Sequence, residues 1–300
     1  KATNLETAFY LFNQNRFDVV LVELEFGPLP GIALIQKWRK HEVMDKRSTG
    51  FVMISGNKRE AQGMALIKEL GEIELLVKPF TPVQVLPYLS RGLVQRRRSQ
   101  AQQEVKSKYI DFYEKTGELD KAVNQIQKNL KQLGPQGLAT MCELYEKAGK
   151  YDQALPILDK MLSHDAQNIS LLNAKGRMLM RAGKFQEAKP YLEKADQLAP
   201  KNIERINEMT SMYLHLKQPD QSVDKFRELL DLNPENPELK FEMFSQLYEH
   251  GYDDHAISFG KETAQPMEIV RHYNNKGVMT AKTGDLKTAI IEYQRALHFY

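Results

Sequence analysis

The chain has 300 residues, of which 42% are apolar and 27% charged, the balance of a chain that buries a core and not of a disordered one. A net charge of +3 is too small at this length to imply nucleic acid or a membrane surface as partner. The single cysteine, Cys142, excludes an internal disulfide framework and a thiolate metal cluster, and it fits a reducing compartment.

No apolar run approaches the roughly 18 residues that span a bilayer. Residues 1–25 lack signal-peptide design, because the run Val19–Val22 is broken by Glu23 and has no basic lead-in. The expected location is the cytoplasm, with no membrane contact. No GxSxG, P-loop, HExxH or dinucleotide fingerprint occurs, so no enzyme is expected. The length prior allows about two structural units.

In chain order, Val19–Val22 is a short, β-branched-rich apolar run, as in a strand buried on both faces. Phe51–Ile54 is a second and Leu75–Val77 a third, the last ending at Lys78-Pro79. Helix-like stretches lie between them at Ile32–Arg39 and at Arg59–Leu70, the latter closed by Gly71. Alternating strands and helices predict βαβ units on a parallel sheet. Trp38 reads as packing in the first of these helices.

These segments resemble a response-regulator receiver domain over residues 1–95. "FDVVLVELEFGPLPGIALIQKWR" has that family's acidic lead into a strand, with Gly31 at the turn glycine. "VMISG" carries a switch-type Ser55, and "LLVKPF" carries Lys78 before Pro79. The resemblance implies an incomplete flavodoxin-like α/β fold. It also implies a site in which the lysine reads a phosphoryl group and the serine moves to bond it. Three departures bear on that site. The phosphoacceptor position holds Glu23, a methylene longer than aspartate, and in-line attack tolerates displacement of about an ångström badly. The aromatic switch position holds Leu75. The domain's first strand and helix, with the acidic pair that binds Mg²⁺ in the family, do not precede Glu23. Mg²⁺ is therefore expected only if such acidic residues lie upstream; otherwise no cofactor or metal is expected. Glu23 and Lys78 admit two readings: a pair that imitates the phosphorylated state, or a buried structural ion pair in a receiver that no longer switches.

Leu86–Leu93 reads as a further helix. "VQRRRSQAQQEVKSK" after it is free of Pro and Gly and rich in helix formers. A continuous helix through a linker at 96–102 is expected to lead into the C-terminal two-thirds of the chain. Arg96, Arg97 and Arg98 read as a solvated face, since no aromatic platform accompanies them for nucleic acid.

The remainder repeats. Gly117-Ala122-Ile126, Gly149-Ala154-Leu158, Gly183-Ala188-Leu192 and Gly284-Ala289-Tyr293 share one spacing: Gly, Ala five residues on, and a large apolar or aromatic residue four beyond. Gly251-Ala256 matches except that Gly260 stands where the large residue belongs, and Lys217-Ser222-Phe226 is degenerate but in register. Successive anchors lie 32, 34, 34, 34 and 33 residues apart. Each unit reads as two antiparallel helices. The Gly takes the left-handed turn between them, and the Ala and the large residue form the buried stripe of the second. Lys217 predicts a looser turn in the fourth unit. Gly176 and Gly277 read as tight-packing positions in first helices, and Pro200 and Pro234 as stops. The period and the stretches "LLNAKGRMLMRAGKFQEAKPYLEKADQLAP" and "YNNKGVMTAKTGDLKTAIIEYQRAL" resemble tetratricopeptide repeats (TPRs). The resemblance covers residues 103–300 and implies an all-α superhelical solenoid of about six repeats; no capping helix is visible after the sixth.

In that family the first helices line a concave, partner-binding groove. Asn173, Asn207 and Asn274 share one register, with Phe241 at the intervening position, and a line of amides would hold a peptide backbone. Arg177, Tyr248 and Arg271 are neighbouring groove candidates. The expected partner is a protein or peptide. The sequence thus reads as a signalling adaptor of two-component type, a divergent receiver coupled to a TPR scaffold. The alternatives are a response regulator that accepts phosphate on a carboxylate, and an assembly scaffold that forms a homodimer through its receiver.

Overall fold

A computed structural model describes residues 1–26, 29–41, 43–56, 67, 69–70, 73–233, 236 and 238–298. Most of the expected helix Arg59–Leu70, its closing Gly71, and Pro234 lie outside the described residues. The chain divides into two compact units, Lys1–Arg205 and Ile206–Tyr300.

All three apolar runs become strands of one parallel sheet in the first unit: β1 (Val19–Glu23), then β4 (Gly50–Ser55), then β5 (Glu74–Val77). Residues Glu25–Phe26 (β2) and Leu29–Pro30 (β3) form a small antiparallel ribbon between the first strand and helix α2 (Gly31–Arg39). Helix α3 (Met44–Arg47) is a single turn. Ahead of the first strand lies a helix for which the apolar runs give no expectation, α1 (Leu5–Gln14), opened by Asn4, whose side chain accepts from the Thr7 backbone N–H at 2.8 Å. Phe12, Trp38 and Phe51 stack at the centre of this region's core, with ring centroids 4.5 Å and 5.9 Å apart. Trp38 is therefore packing, as its setting in an apolar helix suggested.

The expected linker at 96–102 is the middle of one helix, α4 (Pro82–Thr116). Arg96 is part of its anchorage and not a free basic face: its guanidinium meets Asp18 at 3.2 Å and donates to the Phe17 carbonyl. Helices α5 (Leu119–Lys128), α6 (Leu130–Lys147), α7 (Tyr151–His164), α8 (Ile169–Arg181) and α9 (Phe185–Leu198) complete the helical part of the first unit. Helix α10 (Ile203–His215) carries the unit boundary. The second unit continues with α11 (Pro219–Asp231), α12 (Leu239–Glu249), α13 (Asp253–Thr263), α14 (Pro266–Lys282) and α15 (Leu286–Leu297).

The repeat spacing has a backbone cause. Gly117, Gly149, Gly183, Gly251 and Gly284 all have φ between 69° and 89°. At 149, 183 and 251 the next residue's N–H reaches back to the carbonyl four before the glycine, at 2.8–2.9 Å, which ties off the first helix. Lys217 overturns the expectation of a looser turn. Its φ is 59°, and Gln218 N–H meets the Tyr213 carbonyl at 2.8 Å, the same closure. Lysine accepts the left-handed backbone there at a cost of about 1 kcal/mol. Ser222, fully buried where the other units bury Ala, is accommodated because its hydroxyl donates to the Thr210 carbonyl at 3.0 Å. In the fifth unit Phe259 supplies the bulk absent at Gly260, meeting Phe226 and Phe244 at 6.2 Å and 5.6 Å.

Two glycines set the helix spacing. A Cβ on Gly176 would stand 2.5 Å from Leu192 Cδ2, and one on Gly277 would stand 2.6 Å from Tyr293 Cε1. Each first helix thus sinks onto the large residue of its own unit's second helix, a closeness available only without a side chain.

Candidate functional site: a sheet-end ion pair and the first-helix faces

Parallel strands place their last residues at one edge. Glu23 ends the first strand opposite Ile54, and Ser55 ends the second opposite Val77, so Lys78 comes directly after at the same edge. The backbone closes this edge: Leu24 N–H donates to the Ile54 carbonyl at 2.7 Å, and Lys78 N–H to the Ser55 carbonyl at 2.8 Å. Gly31 presses on it from the helix side. Its N–H meets the Leu24 carbonyl at 2.7 Å, and a Cβ there would lie 1.8 Å from the Glu23 carbonyl oxygen. Only glycine permits that approach, which fixes the backbone under the Glu23 carboxylate.

The three residues singled out by resemblance are therefore brought to one edge. Lys78 Nζ stands 2.7 Å from Glu23 Oε1, while Ser55 is buried beside them. The expectation of a buried pair is corrected: the side chains are 46% and 52% exposed. The register ends here at the surface, so solvent screens the attraction and the pair contributes at most about 1 kcal/mol. Leu75, at the aromatic position, packs on the core and not on this edge.

The groove candidates divide by burial. Asn207, Arg271 and Asn274 are exposed on first helices of the second unit. Phe241 and Tyr248 are 7% and 8% exposed, which corrects their reading as groove-facing. Phe241 stacks on His272 at 4.1 Å, the ring planes nearly parallel. Tyr248 lies 3.4 Å from His298 Nδ1 through its hydroxyl and under Arg295, and burial pushes its phenol above the ordinary value. Both residues occur at the expected positions along their helices but are covered by side chains of the following unit. Arg177, half-buried, gives a two-toothed pair with Glu146 at 3.1 Å and 3.4 Å. Asn173 is engaged inside the first unit: its amide donates to Glu69, and its oxygen accepts from Arg205 Nη1 at 3.0 Å.

The sequence profile of the tetratricopeptide repeat family matches residues 145–208. The chain carries a tetratricopeptide repeat domain. The match runs from the end of the first helix of the unit anchored at Gly149, through the unit anchored at Gly183, into the first half of helix Ile203–His215, and it does not extend to residues 1–95. Among solved structures, MamA from residue 41 to its end, from Desulfovibrio magneticus RS-1, is 17% identical with a TM-score of 0.45, covering 57% of this chain and 96% of that one. A tetratricopeptide repeat protein from Parabacteroides merdae is 14% identical with a TM-score of 0.44, covering 72% and 91%. YrrB, a TPR protein with an unusual peptide-binding site, is 20% identical with a TM-score of 0.40, covering 58% and 91%. No curated protein matches the chain.

Two residues that meet across the first unit carry no sequence signal that singles them out. The Arg205 side chain is 1% exposed and that of Glu69 5%, and Arg205 Nη1 reaches both carboxylate oxygens, at 3.1 Å and 3.2 Å. Cys142, by contrast, is a core residue: burial, then Glu146, pushes its thiol up to about 12, so it is no nucleophile near neutral pH. Among the described residues no group of three His, Cys, Asp or Glu side chains converges as a metal site would require, and no helix is long and apolar enough to cross a membrane.

Proposed function

We propose that the chain is a signalling adaptor in which a divergent, receiver-like α/β module is coupled to a TPR scaffold that binds a protein or peptide. The observation that carries the reading is the convergence of Glu23, Ser55 and Lys78 at the end of a parallel sheet whose next element, α4, runs unbroken into the first repeat. In this reading Glu23 supplies a permanent negative charge where a phosphorylated aspartate would stand. Lys78 holds that charge, so the module needs neither phosphoryl transfer nor Mg²⁺ to present its output face. The exposed Asn207 and Asn274 offer donor and acceptor groups to a partner backbone.

Incubation of the whole chain with acetyl phosphate and Mg²⁺, followed by intact mass, is expected to leave the mass unchanged. A gain of one phosphoryl group, lost in Glu23→Gln, would instead make it a phosphorylation-dependent regulator. The scaffold half is tested by affinity capture: a partner held by the wild type is expected to be lost from the Asn207→Ala/Asn274→Ala double variant. A monomer–dimer equilibrium that shifts with Glu23→Gln, without such a partner, would favour the assembly-scaffold reading.

A further inference from the structure

Glu69 belongs to the α/β segment, yet the donors that hold its carboxylate come from the helical repeats. Arg205 Nη1 reaches both oxygens, at 3.1 Å and 3.2 Å. Asn202 Nδ2 donates to Oε1 at 2.8 Å, and the Asn173 amide donates to the same oxygen. One carboxylate from one module is thus received by an arginine and two amides from the other. That is the form of a ligand in a site.

The receiving side remains furnished when the carboxylate is taken away. Arg205 Nε keeps Asp196 at 3.3 Å, and Nη2 keeps the Ala199 carbonyl. Asn202 keeps its second bond, in which its oxygen accepts the Arg205 backbone N–H at 3.1 Å. Emptying the site therefore strands no buried cation, the usual reason such a pair cannot open. The rest of the contact is modest. Gln36 donates to the Lys201 carbonyl at 2.9 Å and accepts the Ile203 N–H at 2.8 Å; Lys40 meets Glu204 at 3.2 Å in the open; and Ile169, Ala199 and Ile203 touch the sheet region's core. Burial pushes the Glu69 carboxyl above its ordinary value, against the pull of Arg205 and the two amides. Insertion thus carries a desolvation cost that a competitor with better-matched contacts would relieve.

We propose that Glu69 is an internal ligand of the TPR first-helix face, so that the docked α/β module excludes carboxylate-bearing partner segments from Asn173 and Arg205. The proposal rests on reading those faces as partner-binding. Partners of this site carry an acidic side chain, and the module competes with them. Release of the module is the switch that opens the site.

Two measurements on the full chain test it. The first is hydrogen–deuterium exchange of the wild type and Glu69→Lys with no partner present. Exchange is expected to rise in 32–40, 169–175 and 199–206 while 119–162 stays protected. No rise, or a rise spread evenly over all segments, overturns the proposal. The second is fluorescence polarisation of a labelled tetraglutamate peptide, with tetralysine as control. Glu69→Ala is expected to bind it at least about tenfold tighter than the wild type, since removing a docked state that dominates the population frees the competent one. Asn173→Ala in that background is expected to take the gain back. Equal affinity for wild type and variant, or binding to neither, overturns the competition even where exchange has risen. Because the exchange experiment needs no partner, and the capture experiment uses Asn207 and Asn274, failure of this proposal is distinguishable from failure of the scaffold reading.

Discussion

The sheet region and the helix pairs solve the same problem, placing side chains precisely, by opposite means. In the sheet region position comes from register: Glu23 and Ser55 end neighbouring strands, Lys78 comes directly after the third, and one backbone contact at Gly31 seats the first of them. In the helix pairs position comes from a local unit repeated at nearly constant spacing, a left-handed turn and a close helix contact, each made within about 17 residues of chain. The lesson is that an error in the sheet is shared by every strand, whereas an error in one repeat stays with its neighbours.

Substitutions that should behave differently in the two regions probe this contrast. The largest effect is expected for Gly31→Ala. The new Cβ meets the Glu23 carbonyl, a backbone atom that cannot step aside, so the loss is expected near 4 kcal/mol, the level reserved for core disruption. Urea unfolding followed through Trp38 fluorescence reads it, and an unchanged midpoint would show that the sheet edge is not pinned there. Next is Gly176→Ala, where the clash is with the fully buried Leu192 side chain. Overpacking of about 1–3 kcal/mol is offset by alanine's better helix preference, about 1 kcal/mol, so a net loss of up to about 2 kcal/mol is expected. Exchange measurements are expected to confine the damage to 150–200. Lys217→Gly runs the other way: relief of the left-handed backbone is expected to stabilise the chain by up to about 1 kcal/mol, seen as a higher thermal midpoint. A loss instead would mean that the Lys217 side chain contributes more than its backbone costs. Smallest is Glu23→Gln, expected to cost about 1 kcal/mol or less and to vanish in high salt, because the pair with Lys78 is half exposed.

The repeats are legible in the sequence because their cause is local. A positive φ demands glycine at most turns, and the demand recurs at a countable spacing. The strands are legible as apolar runs, and the shared edge of Glu23, Ser55 and Lys78 comes from parallel pairing. Helix Leu5–Gln14 has a readable signal of its own, Asn4 ahead of an apolar face at Ala8 and Phe12, although its apolar residues form no continuous run. Phe241 shares the register of the exposed Asn207 and Asn274 yet is covered, as is Tyr248, since register sets the face a residue takes but not what the following unit lays over it: His272 on Phe241, Arg295 and His298 on Tyr248. The Glu69–Arg205 contact leaves no signal at all. Its partners lie 136 residues apart, and each reads alone as one more surface charge.

Helix Pro82–Thr116 takes on a mechanical meaning beside that contact. At about 1.5 Å per residue it is a strut roughly 50 Å long, rooted in the sheet region at one end and in the first repeat at the other. The Glu69 contact joins the same two bodies a second time, through the third and fourth repeats. Strut, repeats and contact therefore form a closed linkage. A closed linkage does not swing freely about one joint: motion at the sheet must bend the strut, shear the stacked repeats, or part Glu69 from Arg205. Of the three, only the last breaks no helix and unstacks no repeats, giving up only the apolar contact of Ile169, Ala199 and Ile203, so it is the joint at which force applied to either body is released first.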